Sequence, residues 1–324
     1  MTGRRHTRTR QRGVALIIAL VVVALATILA TRIGASGARD QRRAATLLAQ
    51  QQAFQIALGS EALAAEVFKL DTDRSGPQGR DSLDEPWATP IGPLPFEGGS
   101  VTPRVEDMQG RFNLNNLVKA DREQRNDVAY EQFRRLLEAL QLEPKWADLT
   151  VDWIDENTIA TSADGAEDGV YTGQQPPYRA ANRWITSTSE LLALPGFGAE
   201  RYRLLQPYVA ALPNDTKLNV CTAPGLILDT LAPGMKAFGQ DPKLLAQNRE
   251  KGCFPYVPDV EAAIAQTGID PQLQAAIRTT LGERSTYFRV TSQVSIGTTQ
   301  FTLYSLLERN GGGARAILRS FGTE

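Results

Sequence analysis

Histidine is almost missing from this chain. The one histidine among 324 residues is His6, so nothing beyond the first few positions supplies an imidazole. That excludes a Ser-His-Asp or Cys-His catalytic set, and every histidine-ligated metal site, from the main body. Asp, Glu, Ser, Lys and Tyr chemistry survives this test, but no grouping of them forms a catalytic set, and the sequence reads as a non-enzyme. Cysteine is nearly as scarce, with Cys221 and Cys253 the only two. Positive charge is concentrated in one place. Arg4, Arg5, Arg8, Arg10 and Arg12 crowd the start, and removing these five charges takes the net from −1 to −6. A mildly acidic remainder lacks the basic patch that a nucleic-acid surface needs.

What the chain does have is one long apolar run, "RGVALIIALVVVALATILATRIGA". No charge falls between Val14 and Ala30, and Arg32 closes the stretch. About 17 residues is short for a membrane-spanning helix but sufficient. The arginines before it set the N-terminus in the cytoplasm. A cleaved signal peptide has a shorter apolar region followed by small residues, and Ala35-Ser36-Gly37 offers such a site. The following segment argues against that reading. Ala38 to Leu70 contains no proline, and Gly59 is its only glycine. Leu47, Leu48, Phe54, Leu58, Leu63 and Val67 recur near helical spacing. One continuous helix of about 50 residues or more is expected, buried in lipid first and amphipathic second.

Beyond it, Asp71 to Gly99 is rich in Pro, Gly and Asp and reads as linker. "GGSVTPRVEDMQGRFNLNNL" reads as two short strands turning near Gln109-Gly110. Helical patterning follows from Asp121 to about Leu212, with a capping box at Ser187 to Glu190. Strand character returns at residues 216–223, then short helices. Toward the C-terminus the patterning shifts from helix to strand. Tyr287–Ile296, Phe301–Glu308 and Ala314–Ser320 read as three strands, with Phe288, Val290, Val294 and Ile296 on one face.

A basic leader ending in glycine, then an apolar helix that turns amphipathic, resembles a type IV pilin-like protein. The resemblance implies that a prepilin peptidase cuts between Gly13 and Val14 and that the apolar helix is kept. Most pilins carry a glutamate five residues into the mature chain, where Ile18 stands here. A buried acid is worthwhile there only when a neighbour's terminal amine pairs with it. Its loss resembles the K class of minor pseudopilins of type II secretion systems, which sit at the filament tip. The implied fold is α+β: a pilin-like long N-terminal helix packed on an antiparallel sheet, with a large inserted α-helical domain. Its divisions are a leader at 1–13, a transmembrane helix at 14–32, a core at 33–120 and 287–324, and an insertion at 121–286. The implied partners are I- and J-class minor pseudopilins, the major pseudopilin, the inner membrane and secreted substrates. The body lies in the periplasm, and nucleic acid is not a partner.

Three features remain. Behind an export signal, two cysteines most simply form one disulfide, Cys221 to Cys253; two buried thiols are the alternative. The closed loop of roughly 30 residues is worth about 3–4 kcal/mol in the chain-entropy picture. "DWIDENTIATSADGAEDGVY" gathers six carboxylates and two glycines. It lacks EF-hand spacing, and by itself fits a solvated acidic loop. The K-class resemblance implies calcium there, with Asp155, Asp164, Glu167 and Asp168 as the expected ligands. Finally, "TSTSELLALPGFGAERYRLLQPYV" looks like a helix-hairpin-helix, the basis of an alternative reading as a membrane-tethered DNA-binding module. Its flanks balance Glu190 and Glu200 against Arg201 and Arg203, which gives no steering charge.

Overall fold

The structure, a computed structural model, describes residues 12–76, 79–310 and 313–321. The leader before Arg12, with His6, Arg4, Arg5, Arg8 and Arg10, lies outside the described residues. Helix α1 runs unbroken from Arg12 to Ser75. Its 64 residues extend about 96 Å at 1.5 Å per residue. The most apolar 18-residue window has a mean hydropathy of 3.0, and none of it is buried within the chain.

The second half of α1 packs on a sheet, through a narrower stripe than the sequence suggests. Ala53, Ala57, Ser60, Ala64 and Phe68 are the buried positions. Steps of three and four keep them on one side of the helix. Of the larger residues, Leu47, Leu48 and Leu63 are exposed, and Phe54, Leu58 and Val67 are half-buried. Small side chains line the contact because a helix pressed closely onto a sheet leaves little room between them. Phe68 is the large exception within the stripe, and the other large ones flank it.

After α1 come β1 (Leu94–Phe96) and β2 (Gly99–Asp107). The chain then leaves as a second unit. This comprises β3 (Phe112–Asn113), α2 (Asp127–Ala139), α3 (Trp146–Ile154), α4 (Asp168–Tyr171) and α5 (Gly198–Leu205). It continues through β4 (Val209–Ala210), β5 (Leu218–Asn219), α6 (Gly225–Asp229), α7 (Pro242–Arg249), α8 (Val257–Gln266), α9 (Pro271–Thr279) and β6 (Leu281–Gly282). Strands β7 (Tyr287–Ile296), β8 (Thr299–Asn310) and β9 (Gly313–Phe321) complete the core. The core sheet has the order β1-β2-β7-β8-β9, and every pair is antiparallel.

The hairpin expected near Gln109-Gly110 does not form. Met108–Gly110 is a 3-10 turn, and β3 pairs in parallel with β4. The buried Asp107 carboxylate accepts the Gln109 N–H at 2.8 Å and redirects the chain. The strand expected at 216–223 shrinks to β5, paired with β6. The inserted unit begins earlier than residue 121, because Phe112, Leu114, Leu117 and Val118 already belong to its hydrophobic core. Asparagines hold this entry segment where strand pairing is absent. Asn115 donates to Ile185 O and Leu212 O and accepts from Ile185 N, at 2.8–2.9 Å.

Strand β2 ends at Asp107, opposite Phe288 of β7. The insertion is therefore one long loop between two neighbouring strands. Its end of the sheet is fixed by α1. Phe68 packs on Phe288, centroids 4.4 Å apart, whereas Ala53 and Ala57 pack with Val294 and Leu303. The insertion thus hangs from the end of the sheet farthest from the apolar part of α1.

The neck is polar and buried. Asp107 Oδ2 accepts from Asn219 at 3.0 Å, Thr222 at 2.5 Å and Ser285 at 2.7 Å. Burial pushes this carboxyl above its ordinary range, opposed by the hydroxyls of Thr222 and Ser285. Arg309 of β8 donates to Asp81, to Asp71 at 3.2 Å and to Ser285 O at 2.7 Å. Asp81 in turn accepts the Ser285 N–H at 2.7 Å. Replacing Arg309 by Met leaves two carboxylates buried without their cation. Thermal unfolding of Arg309→Met is expected to show a loss of about 3–5 kcal/mol; a loss below about 1 kcal/mol contradicts this role.

Glu85 sits beside this cluster and accepts from the Trp87 indole. Burial, then the nearby charges of Asp71 and Asp81, push its carboxyl from 4.5 up to about 7. A carboxyl raised on folding favours the folded state when protonated. That contribution is complete below 4.5 and is lost as pH rises through about 7. The Glu85→Gln chain should therefore lose less stability than the parent between pH 5 and pH 8, measured by melting. Equal slopes would refute the assignment.

Candidate functional site

The acidic loop is organised by α3. Asp148 and Asp152, four residues apart, lie on one side of the helix, and Asp155 caps its C-terminal end. That side faces the loop from Glu156 to Asp168. Asp148 accepts from the Tyr130 hydroxyl at 2.6 Å and from Ser162 at 3.0 Å. Asp152 accepts the backbone N–H groups of Thr161 at 2.9 Å and Ala166 at 2.8 Å. These two carboxylates pin the loop to the helix. Gly165 is required at the closest approach, since a Cβ there would lie 2.2 Å from Asp152 Oδ2.

The remaining carboxylates divide into two groups. Asp155 is buried, and its Oδ2 accepts from Asn157 at 3.0 Å. Asp155 Oδ1, both carboxylate oxygens of Glu167 and Asn182 Oδ1 are buried without a hydrogen-bond partner. Burial, then the charge of Asp152, pushes Asp155 up to about 7. Glu167 is pushed up to about 7 by burial and by Asp152, Asp155 and Asp168. Asp168 is already engaged, accepting from Ala180 N at 3.1 Å and lying 3.8 Å from Arg179. Asp164 is exposed, and its side chain makes no hydrogen bond among the described residues. Of the four expected ligands, the fold brings Asp155 and Glu167 into one buried acidic environment, holds Asp168 at its edge and leaves Asp164 in solvent. Asp152 is a fifth member, legible from its helical spacing to Asp155.

Orphaned, buried, hard oxygen atoms from carboxylates and an amide are the donor set a calcium ion takes. The types of donor fit that ion, although among the described residues no three acids of the loop bring their oxygens within 4.8 Å of one another. Among the described residues, a tighter carboxylate group is Asp71, Asp81 and Glu85, whose oxygens all lie within 4.8 Å of one another. Arg309 already supplies the cation there.

The hairpin is a packing turn. Ser187 and Glu190 form the expected capping box, on a 3-10 helix. Gly196 and Gly198 adopt positive φ of 79° and 76°, which favours glycine. Phe197 between them is buried against Trp146, centroids 5.1 Å apart. Arg201 folds back onto Gly196 O and Phe197 O at 3.2 and 3.0 Å.

Cys221 and Cys253 form the expected disulfide. Gly13 and Val14 lie in the first turn of α1, and Ile18 is exposed on it.

A membrane-length helix continued onto an antiparallel sheet, with a second unit looped out of one strand pair, defines a pilin-like subunit. The family described as type II secretion system (T2SS), protein K, matches residues 110–214. The type II secretion system protein K of Pseudomonas aeruginosa is 36% identical across 97% of this chain and 94% of its own length. That of Aeromonas hydrophila is 32% identical, covering 96% of each. A chain from the crystal structure of the GspK-GspI-GspJ complex of enterotoxigenic Escherichia coli superposes with a TM-score of 0.75. It is 24% identical and covers 87% of this chain and 100% of that one. The chain belongs to the type II secretion system protein K family.

Proposed function

We propose that this subunit caps the pseudopilus of a type II secretion system and, with I- and J-class minor pseudopilins, initiates its assembly. The observation that carries this reading is the place of the insertion, at the end of the sheet farthest from the membrane segment. A filament assembled from the membrane adds subunits below, so bulk at the far end obstructs any subunit above. Ile18 supports the same position, since no acid awaits the terminal amine of an upper neighbour. The role is structural and non-enzymatic. The apolar half of α1 anchors the chain once in the inner membrane, with the body in the periplasm. A prepilin peptidase removes the leader after Gly13. Contacts with the major pseudopilin run along α1, and secreted substrates meet the exposed insertion.

N-terminal sequencing of native material should begin at Val14, and immunogold labelling of the insertion should mark one end of the pseudopilus. A start at Met1 or near Ala38 would overturn the processing. Label distributed along the shaft would overturn the capping role.

Calcium belongs to this reading as a structural ion. Asp155 and Glu167 would hold it, with Asp168 beside them. A bound divalent cation would relieve the repulsion among these carboxylates and fix the loop against α3. Saturating calcium at about 100 times Kd stabilises a single site by about 2.7 kcal/mol. Chelation should therefore lower the melting temperature of the parent chain, and Glu167→Gln should remove most of that difference. A melt indifferent to chelator would refute calcium binding.

A further inference from the structure

The insertion carries a cleft of about 880 Å³ between α6, α7 and the segment after α1. Leu226, Leu245, Tyr208 and Phe238 give it apolar walls. Each wall is held by contacts of its own. Asp229 accepts the backbone N–H groups of Ala237 and Phe238 at 2.9 Å and of Gly239 at 2.8 Å, which fixes the Phe238 turn. That turn passes so close to α6 that a Cβ on Gly225 would lie 2.2 Å from Phe238 O. The end of α7 is tied down by the Cys221–Cys253 disulfide and by Arg249. The Arg249 guanidinium donates to Phe254 O at 2.6 Å, Val220 O at 3.0 Å and Ala223 O at 2.8 Å. The cleft is therefore formed before any ligand arrives.

The charge presented to the cleft is negative. Arg249 is the one cation among the lining residues, and it is 7% exposed and committed to carbonyls. Asp84 on the linker wall and Glu250 at the end of α7 are exposed acids. Asp84 accepts the Ser82 hydroxyl at 2.6 Å, and among the described residues neither acid forms an ion pair. Two such carboxylates beside apolar walls repel anions and attract cations. Lysine and arginine lay their apolar stems along walls of this kind and keep the charged head outside. Aromatic rings add attraction for that head. The two acids stand on separate elements, so a segment with two basic residues serves both, whereas a single-headed amphiphile serves one. We infer that this cleft docks a partner polypeptide through an exposed basic-apolar-basic run, with the apolar side chain between Leu226, Phe238 and Leu245 and the two cations toward Asp84 and Glu250. The site is separate from the acidic loop and from the membrane helix, and its test does not depend on the capping role.

The test uses the full chain in non-ionic detergent micelles, titrated in a calorimeter with the end-blocked peptide Gly-Ser-Lys-Leu-Arg-Ser-Gly. The peptide should bind, and serine in place of its leucine should weaken binding about 10- to 100-fold, the value of burying that side chain. The chain carrying Asp84→Asn and Glu250→Gln together should bind about 3- to 30-fold more weakly, as the loss of two exposed ion pairs predicts. Ala246 is exposed on α7 and lines the cleft. Ala246→Trp should fill the space and abolish binding while the melting temperature holds. Glu167→Gln, in the acidic loop, should leave binding unchanged, which separates the cleft from general attraction to an acidic chain. No binding at millimolar peptide, equal binding of Gly-Ser-Glu-Leu-Glu-Ser-Gly, or binding untouched by Ala246→Trp or by the neutralised acids would overturn the site. Octylammonium competing as tightly as the peptide would overturn its assignment to a polypeptide.

Discussion

The buried guanidinium of Arg309 is the constraint on which the arrangement of the two units depends. Through it the end of α1 (Asp71), the linker (Asp81), the entry to β7 (Ser285) and the end of β8 meet at one point. Its face lies over the rings of Phe288 and Phe68, at 5.1 and 5.9 Å. Asp107 sits one hydrogen bond away, shared between β2 and the insertion through Asn219 and Thr222. Buried carboxylates tolerate little rearrangement, because each lost partner leaves a desolvated charge. An insertion on a bare two-strand loop would swing; one whose asparagine and threonine complete a buried ionic network cannot swing without breaking it. Orientation, not only attachment, is what this network supplies.

The same chain solves carboxylate crowding in two ways. At the neck, three acids gather; an internal arginine pairs with two of them, Asp71 and Asp81, and the third, Glu85, accepts from the Trp87 indole. In the acidic loop, Asp155 and Glu167 carry buried, unpartnered oxygens, and among the described residues no arginine pairs with them. Nearby cations are committed elsewhere: Arg122 pairs with Glu156 at 2.8 Å and Arg179 lies by Asp168. A fold that must hold its insertion under all conditions is served by a covalently attached cation. A long surface loop can depend on an exchangeable one, and its order then follows the ion's concentration.

How much of this is legible in the sequence follows from the range over which each signal acts. The unbroken α1, the β7–β9 meander and the capping box at Ser187 are local patterns, and all are present. The disulfide follows from counting cysteines. The neck is not legible, because Asp81, Asp107, Asn219, Ser285 and Arg309 are scattered along the chain and none is unusual in its own neighbourhood. The asparagines of "FNLNNL" read as strand, although alternating amides and leucines without a turn residue are a usable sign of side-chain-to-backbone pairing. Among the acids, periodicity along α3 identifies Asp152 with Asp155, but only folding separates Glu167, which turns inward, from Asp164, which does not.

The contact face of α1 departs from its hydrophobic ranking for a physical reason that bears on assembly. Hydrophobicity ranks Leu47, Leu48 and Leu63 above Ala53, Ala57 and Ala64, yet the alanines are the buried set. A sheet that must sit close to a helix takes the small residues, and the leucines stay outside at a cost in exposed apolar surface. A monomer gains nothing from that cost. It would be recovered if other helices covered the leucines, as the proposed assembly requires. At the opposite end the insertion leaves from between β2 and β7, tied to the sheet through Arg309 and Asp107. The chain therefore offers apolar helix surface toward the membrane and flanks and a folded polar unit at the top, an asymmetry that suits a subunit with neighbours beneath it and none above.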